Sequence, residues 1–226
     1  ILIMKSQLPK PRRWATLLVS TLIILLITIV PAGSTLAQSN SSALEQGMMA
    51  YQQGNYQTAV EAFAQAIENQ VEVEKAYYFR GVSYLELGEL EKAIADQTKV
   101  IDLNPDNAGA YYDRALAHTQ LREYEKAVAD YDRAIELRPD QERILLNRGI
   151  AHAQQGKLES AIADYNQAIE LNADLADAYA NRGVTRAAMG EKESAIVDLE
   201  TAGELYQEQG NQPLYETIQK TIDKFD

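Results

Sequence analysis

A chain of 226 residues with no cysteine and a net charge of −12 is bounded before any motif is read. The missing thiols exclude disulfides, thiolate catalysis, cysteine-ligated iron–sulfur clusters and lipid attachment through an N-terminal cysteine. Residues 1–37 carry four basic side chains (Lys5, Lys10, Arg12, Arg13) and no acid, which leaves 17 Lys and Arg against 33 Asp and Glu in the remainder, a net of −16. So acidic a body repels nucleic acid and anionic headgroups, and no nucleic-acid partner is expected.

The first element is apolar. Trp14 to Val30 form 17 residues without a charge, and Pro31-Ala32-Gly33-Ser34-Thr35-Leu36-Ala37 follows. A basic flank, an apolar run and a small-residue exit are the parts of a secretory signal, with cleavage expected after Ala37. The run also lies near the lower limit of a spanning helix, which needs about 20 residues, so an uncleaved anchor through residues 14–30 is the alternative. Either way, residues 1–37 are expected to carry the rest of the chain across the cytoplasmic membrane. The expected destination is the periplasm, or a thylakoid lumen if the source is photosynthetic. Residues 38–42 are a short polar linker. Met4, behind Ile1-Leu2-Ile3, is expected to be the natural start.

From residue 40 the sequence returns on itself every 34 residues. Gly47, Gly81, Ala115, Gly149 and Gly183 fall in register. So do Ala59, Ala93, Ala127, Ala161 and Ala195, and likewise Ala66, Val100, Ala134, Ala168 and Ala202. A fixed period of this length marks stacked helix pairs. Residues 108–141 show one unit. Tyr111, Ala115, His118 and Leu121 make one helical stripe, and Tyr124, Ala127, Val128, Tyr131, Ala134 and Ile135 make a second. Arg138-Pro139-Asp140 then ends the unit, because proline cannot continue a helix.

The small in-phase residues let two helices approach closely. Glycines at the turns (Gly54, Gly88, Gly156, Gly190) supply left-handed caps. Arg122 stands at the same place in the third unit, where a strained or reshaped turn is expected. Arg80, Arg114, Arg148 and Arg182 recur in phase with Asp96, Asp130, Asp164 and Asp198, which predicts a ladder of surface ion pairs worth about 0–1 kcal/mol each. After Gly210-Asn211-Gln212-Pro213, the stripe Leu214, Ile218, Ile222 and Phe225 predicts a capping helix over 212–225 with a polar outer face.

This pattern resembles the tetratricopeptide repeat family over units 40–73, 74–107, 108–141, 142–175 and 176–209. Departures are Val71, Ala173 and Gln207 where the family has proline, and Gln97 and Leu199 where helix B has an aromatic. The resemblance implies an all-α, right-handed superhelical solenoid of five helix-turn-helix repeats with a C-terminal capping helix, spanning 43–226. It also implies a concave groove lined by the first helix of each repeat. Repeat positions 5 and 6 place Tyr78, Tyr112, Leu146, Asp113, Asn147 and Asn181 in that groove as expected contacts to a protein or peptide.

The family's carboxylate clamp needs Lys and Asn where this chain has Leu44/Met48, Tyr78/Val82, Tyr112/Leu116 and Leu146/Ile150, so Hsp70/Hsp90 tail binding is not expected. His118 and His152, one period apart, replace a packing tyrosine of the type of Tyr84. No nucleophile, phosphate-loop or metalloprotease motif is present. No catalytic residue, metal or cofactor is expected. The expected function is noncatalytic binding in the groove, in assembly of an envelope or membrane complex. The alternative is a tethering or regulatory subunit of an envelope enzyme or secretion machine that uses its convex face or cap.

Overall fold

The structure, a computed structural model, describes residues 43–224. The signal or anchor segment 1–37, the linker 38–42 and Phe225 lie outside the described residues. Within them the chain is helical throughout: α1 (43–52), α2 (Tyr56–Glu68), α3 (Val73–Leu87), α4 (Leu90–Leu103), α5 (Ala108–Gln120), α6 (Tyr124–Leu137), α7 (Glu142–Gln154), α8 (Leu158–Leu171), α9 (Ala176–Ala188), α10 (Lys192–Glu208) and α11 (Gln212–Ile222). From α2 to α11 each helix packs on the next in sequence, and α1 packs on α2 through Leu44, Ala50, Ala59 and Phe63. Odd helices also touch odd helices, α3 on α5, α5 on α7 and α7 on α9, with no comparable contact among the even ones. A stack closer on its odd side curves toward that side, so the odd helices line the inner face.

The close approach within each pair is carried by the in-phase small residues. Ala59, Ala93, Ala127, Ala161 and Ala195 are fully enclosed, as are Ala66, Val100, Ala134, Ala168 and Ala202. One residue of each even helix packs against the small residue of its odd partner: Phe63, Gln97, Tyr131, Tyr165 and Leu199, all with no exposed surface. A Cβ added at Gly47 would stand 2.6 Å from the Phe63 ring, and one at Gly149 would stand 2.6 Å from the Tyr165 ring. Such contacts force the ring or the helix to give way.

Local chemistry sets the ends. Asn107 caps α5 by accepting from the Ala110 amide at 3.1 Å, and Asn211 caps α11 from Leu214 at 3.5 Å. Pro213 occupies the first turn of α11, where its missing N–H costs nothing. The loops after α4 and α8 are held by Asn104 and Asn172, whose side chains accept from the amides of Asp106 and Asp174. The loop after α2 has neither asparagine nor proline at that place. It passes instead through two left-handed residues, Gln70 (φ 58°) and Glu72 (φ 36°).

At the other end α10 runs to Glu208. The Tyr206 hydroxyl donates to Asp177 at 2.5 Å, and the Gln209 amide to the Asp174 carbonyl at 2.9 Å. Ile218 of α11 is fully buried, with Leu214, Tyr215 and Ile222 packed about it, so α11 covers the apolar end of α10.

The arginine ladder is present, but not as surface pairs. Each arginine of an odd helix grips the aspartate of its own even helix with two nitrogens: Arg80–Asp96 at 2.7 and 2.7 Å, Arg114–Asp130 at 2.8 and 2.7 Å, Arg148–Asp164 at 3.0 and 2.6 Å, Arg182–Asp198 at 2.9 and 2.7 Å. The aspartate side chains are only 4–9% exposed. In three of the four the remaining terminal nitrogen reaches back to the preceding repeat, Arg114 to Thr98 (3.0 Å), Arg148 to Asp132 (2.7 Å) and Arg182 to Asn166 (2.6 Å). The guanidinium fork is thus used as a three-helix staple, a geometry lysine cannot copy. Tyr77, Tyr111 and Tyr179 stack beneath Arg80, Arg114 and Arg182 at 5.3–5.7 Å.

Candidate partner-binding groove

The inner face is built from the same turns of successive odd helices. A spacing of 34 residues puts chemically related side chains side by side across repeats. Gln52, Glu86, Gln120 and Gln154 form an exposed row near the C-terminal ends of α1, α3, α5 and α7. Val82, Leu116 and Val184 are half-buried beside them, and Ile150 is buried. The face is therefore apolar along its middle with a polar margin.

Its first half is aromatic. Tyr51 lies edge-on to Tyr56 and to Phe79, both at 5.7 Å between ring centres. Phe79 in turn meets Phe63 at 6.0 Å and Tyr78 at 5.3 Å. An open depression of about 400 Å³ lies at the start of α3, lined by Glu72, Val73, Glu74, Lys75, Tyr78 and Asn107. A second, of about 350 Å³, lies against α1 and is lined by Leu44, Glu45, Met48, Met49, Gln52 and Lys75.

The six residues singled out from sequence take distinct places. Tyr78 and Asp113 are brought together: the tyrosine hydroxyl reaches α5, 2.9 Å from where a Cβ on Gly109 would stand, and it and the Asp113 carboxyl bear on each other's ionisation. Tyr112 and Asn147 are also joined, the amide donating to the hydroxyl at 2.9 Å. Tyr112 packs 6.1 Å from Tyr131, so its ring belongs in part to the core. Leu146 is buried in the fourth repeat. Asn181 is also buried, and its amide is spent on the Asp177 carbonyl of its own helix at 2.8 Å. The part of the set that is not buried is thus Tyr78, Tyr112 and Asn147, in the second to fourth repeats. Tyr51, Phe79 and Glu86 belong to the same surface; their place in the repeat register was the signal that could have added them.

Electrostatics distinguish one residue. Asp113 is buried, and its Oδ2 is enclosed with no hydrogen-bond partner among the described residues. Burial raises its pKa to about 7, Glu86 pushes in the same direction, and the Tyr78 hydroxyl opposes them. Burial likewise lifts Tyr51 and Tyr112 to about 12, with help from the Asp113 charge. Glu86 is raised by desolvation.

The histidines are separate from this surface chemistry. His118 is buried with Nδ1 2.7 Å from Glu123, and His152 lies 4.0 Å from Asp164. Among the described residues no three histidine or acidic side chains group as metal ligands, and no helix there is long and apolar enough to cross a membrane.

Comparison with known proteins agrees with this geometry. Tetratricopeptide repeat profiles match residues 44–108 and 81–146, and a TPR repeat profile matches residues 151–190. No curated protein sequence matches the chain. Among solved structures, the MamA protein superposes with a TM-score of 0.70 at 20% identity, covering 78% of this chain and 96% of that one. MamA from Desulfovibrio magneticus RS-1 (residues 41 to the end) gives 0.72 at 17% identity, with 75% and 96% covered. MamA MSR-1 gives 0.67 at 20%, with 76% and 98% covered. At these identities the likeness is one of fold.

Proposed function

The chain is a tetratricopeptide repeat protein, and on that premise we propose that it is a noncatalytic scaffold that binds a partner protein or peptide in the groove of its odd helices. The observation that carries this reading is the continuous inner face itself. Four repeats present Tyr51, Tyr78, Val82, Leu116 and the exposed row Glu86, Gln120 and Gln154 without interruption. Rigid aromatics give contact area at low entropic cost, and amides can bond an extended backbone.

The complex served is assigned to an envelope or membrane, with the repeats exported and residues 14–30 either removed or left as an anchor. The support is the basic flank, apolar run and small-residue exit of residues 1–37. The acidic body argues against nucleic acid as the partner.

A charge-reversed groove tests the reading. Glu86, Gln120 and Gln154 are exposed, so E86K/Q120K/Q154K keeps the packed core intact. An envelope partner retained by the parent protein and lost by this variant supports groove binding. A partner held equally by both moves the interface to the convex face or α11, and favours a tethering or regulatory subunit instead.

A further inference from the structure

The first half of the groove differs from the second in one respect that bears on what it binds. Tyr51 of α1, Tyr78 and Glu86 of α3, and Asp113 of α5 act on one another: Tyr51 feels both Glu86 and Asp113, and Asp113 feels Glu86 and the Tyr78 hydroxyl. Phe79 links the two tyrosines edge to edge. At the same register the second half has Leu146 and Ala180, Asn147 and Asn181, Ala153 and Ala187, Gln154 and Ala188, which carry neither negative charge nor an aromatic ring.

We infer that this place in the groove receives a cationic side chain, lysine or arginine, of the bound partner, against the Tyr51–Phe79–Tyr78 aromatic row with Glu86 at the rim and Asp113 behind. The inference rests on the groove reading above and adds the chemistry of its ligand. A carboxylate oxygen enclosed without a partner is costly, and the cost is removed by a proton or by a cation. Asp113 Oδ2 is such an oxygen. Tyrosine faces attract an ammonium or guanidinium, more strongly where water is excluded. Among the described residues, the neighbouring cations do not fill this role. Lys75 stands at the opposite end of α3, about 16 Å from Glu86 along the helix axis, and pairs with Glu72 at 3.2 Å. Arg138 acts on Tyr78 but sits exposed just beyond α6.

Selection of a random dodecapeptide library on the purified full chain tests the pocket. Peptides from the parent protein are expected to share a lysine or arginine at one position. Replacing that residue by norleucine in a synthetic peptide is expected to weaken binding about tenfold. The same replacement is expected to change little on Glu86→Gln or Asp113→Asn protein. Glu86→Gln alters an exposed residue, so it keeps the test valid if Asp113→Asn perturbs folding. Peptides that bind in the groove without a shared cation, or a norleucine loss undiminished in both variants, would overturn the pocket and leave the groove reading standing. An absence of binding peptides, or binding undisturbed by E86K/Q120K/Q154K, would overturn both.

Discussion

Single residues carry most of what is particular to this chain. Arg122 occupies the turn where the other repeats have glycine, and it takes the same left-handed conformation, φ 62° against 75–85° for Gly54, Gly88, Gly156 and Gly190. The turn is therefore strained rather than reshaped, because the stacked helices on either side dictate its path. Arg122→Gly should relieve about 1 kcal/mol, read as a higher denaturant midpoint at unchanged slope. Asp113 makes an opposite kind of claim. With a pKa near 7 when folded and an ordinary carboxylate value when unfolded, the native state holds the extra proton between about pH 4 and 7. Its contribution to stability is full below that window and is lost as pH rises through it, at up to about 1.4 kcal/mol per pH unit. Asp113→Asn should flatten the fall in unfolding free energy between pH 5 and 7.5. An identical slope in parent and variant would contradict the burial argument. The sequence placed Asp113 on the inner face by its repeat register; its orphaned oxygen depends on packing from α3 and was not legible there.

At the scale of elements, the helices and their small-residue seams were readable because a 34-residue period repeats every packing requirement five times. The staple was only half readable. In-phase Arg and Asp announced a pairing, but their burial and the third contact, back to Thr98, Asp132 and Asn166, appear only once adjacent even helices are set side by side. The difference matters energetically. An exposed pair contributes little, whereas removing one member of an enclosed pair leaves a charge stranded at about 3–5 kcal/mol. Arg148 joins Asp164 of its own repeat to Asp132 of the one before, so Arg148→Met should cost about 3 kcal/mol. Amide exchange should speed in α6 to α8 before it does in α3 or α10. Uniform loss of protection along the chain would argue that the staple is not a local coupling. The loop between α2 and α3 shows the converse: Gln70-Val71 stands where the next repeat has Asn104-Pro105, and the chain there passes through left-handed Gln70 and Glu72, the latter lining the depression beside Tyr78.

On the scale of the whole molecule, the curvature toward the odd helices and the cap on α10 leave the inner face as the surface shared by all repeats. Its chemistry is graded along the stack, aromatic and acidic in the first three repeats, aliphatic and amide-bearing in the last two. Asn181, read from its register as a contact, is turned into its own helix and buried; periodicity assigns a face but not the depth at which each side chain sits. The central claim is that recognition happens on this face. A photo-activated crosslinking side chain placed at Gln120, on the inner row, and separately at Val197, 60% exposed on α10, tests it most directly. The account predicts the same partner crosslinked from Gln120 and none from Val197. A partner captured from Val197 and not from Gln120 would contradict it.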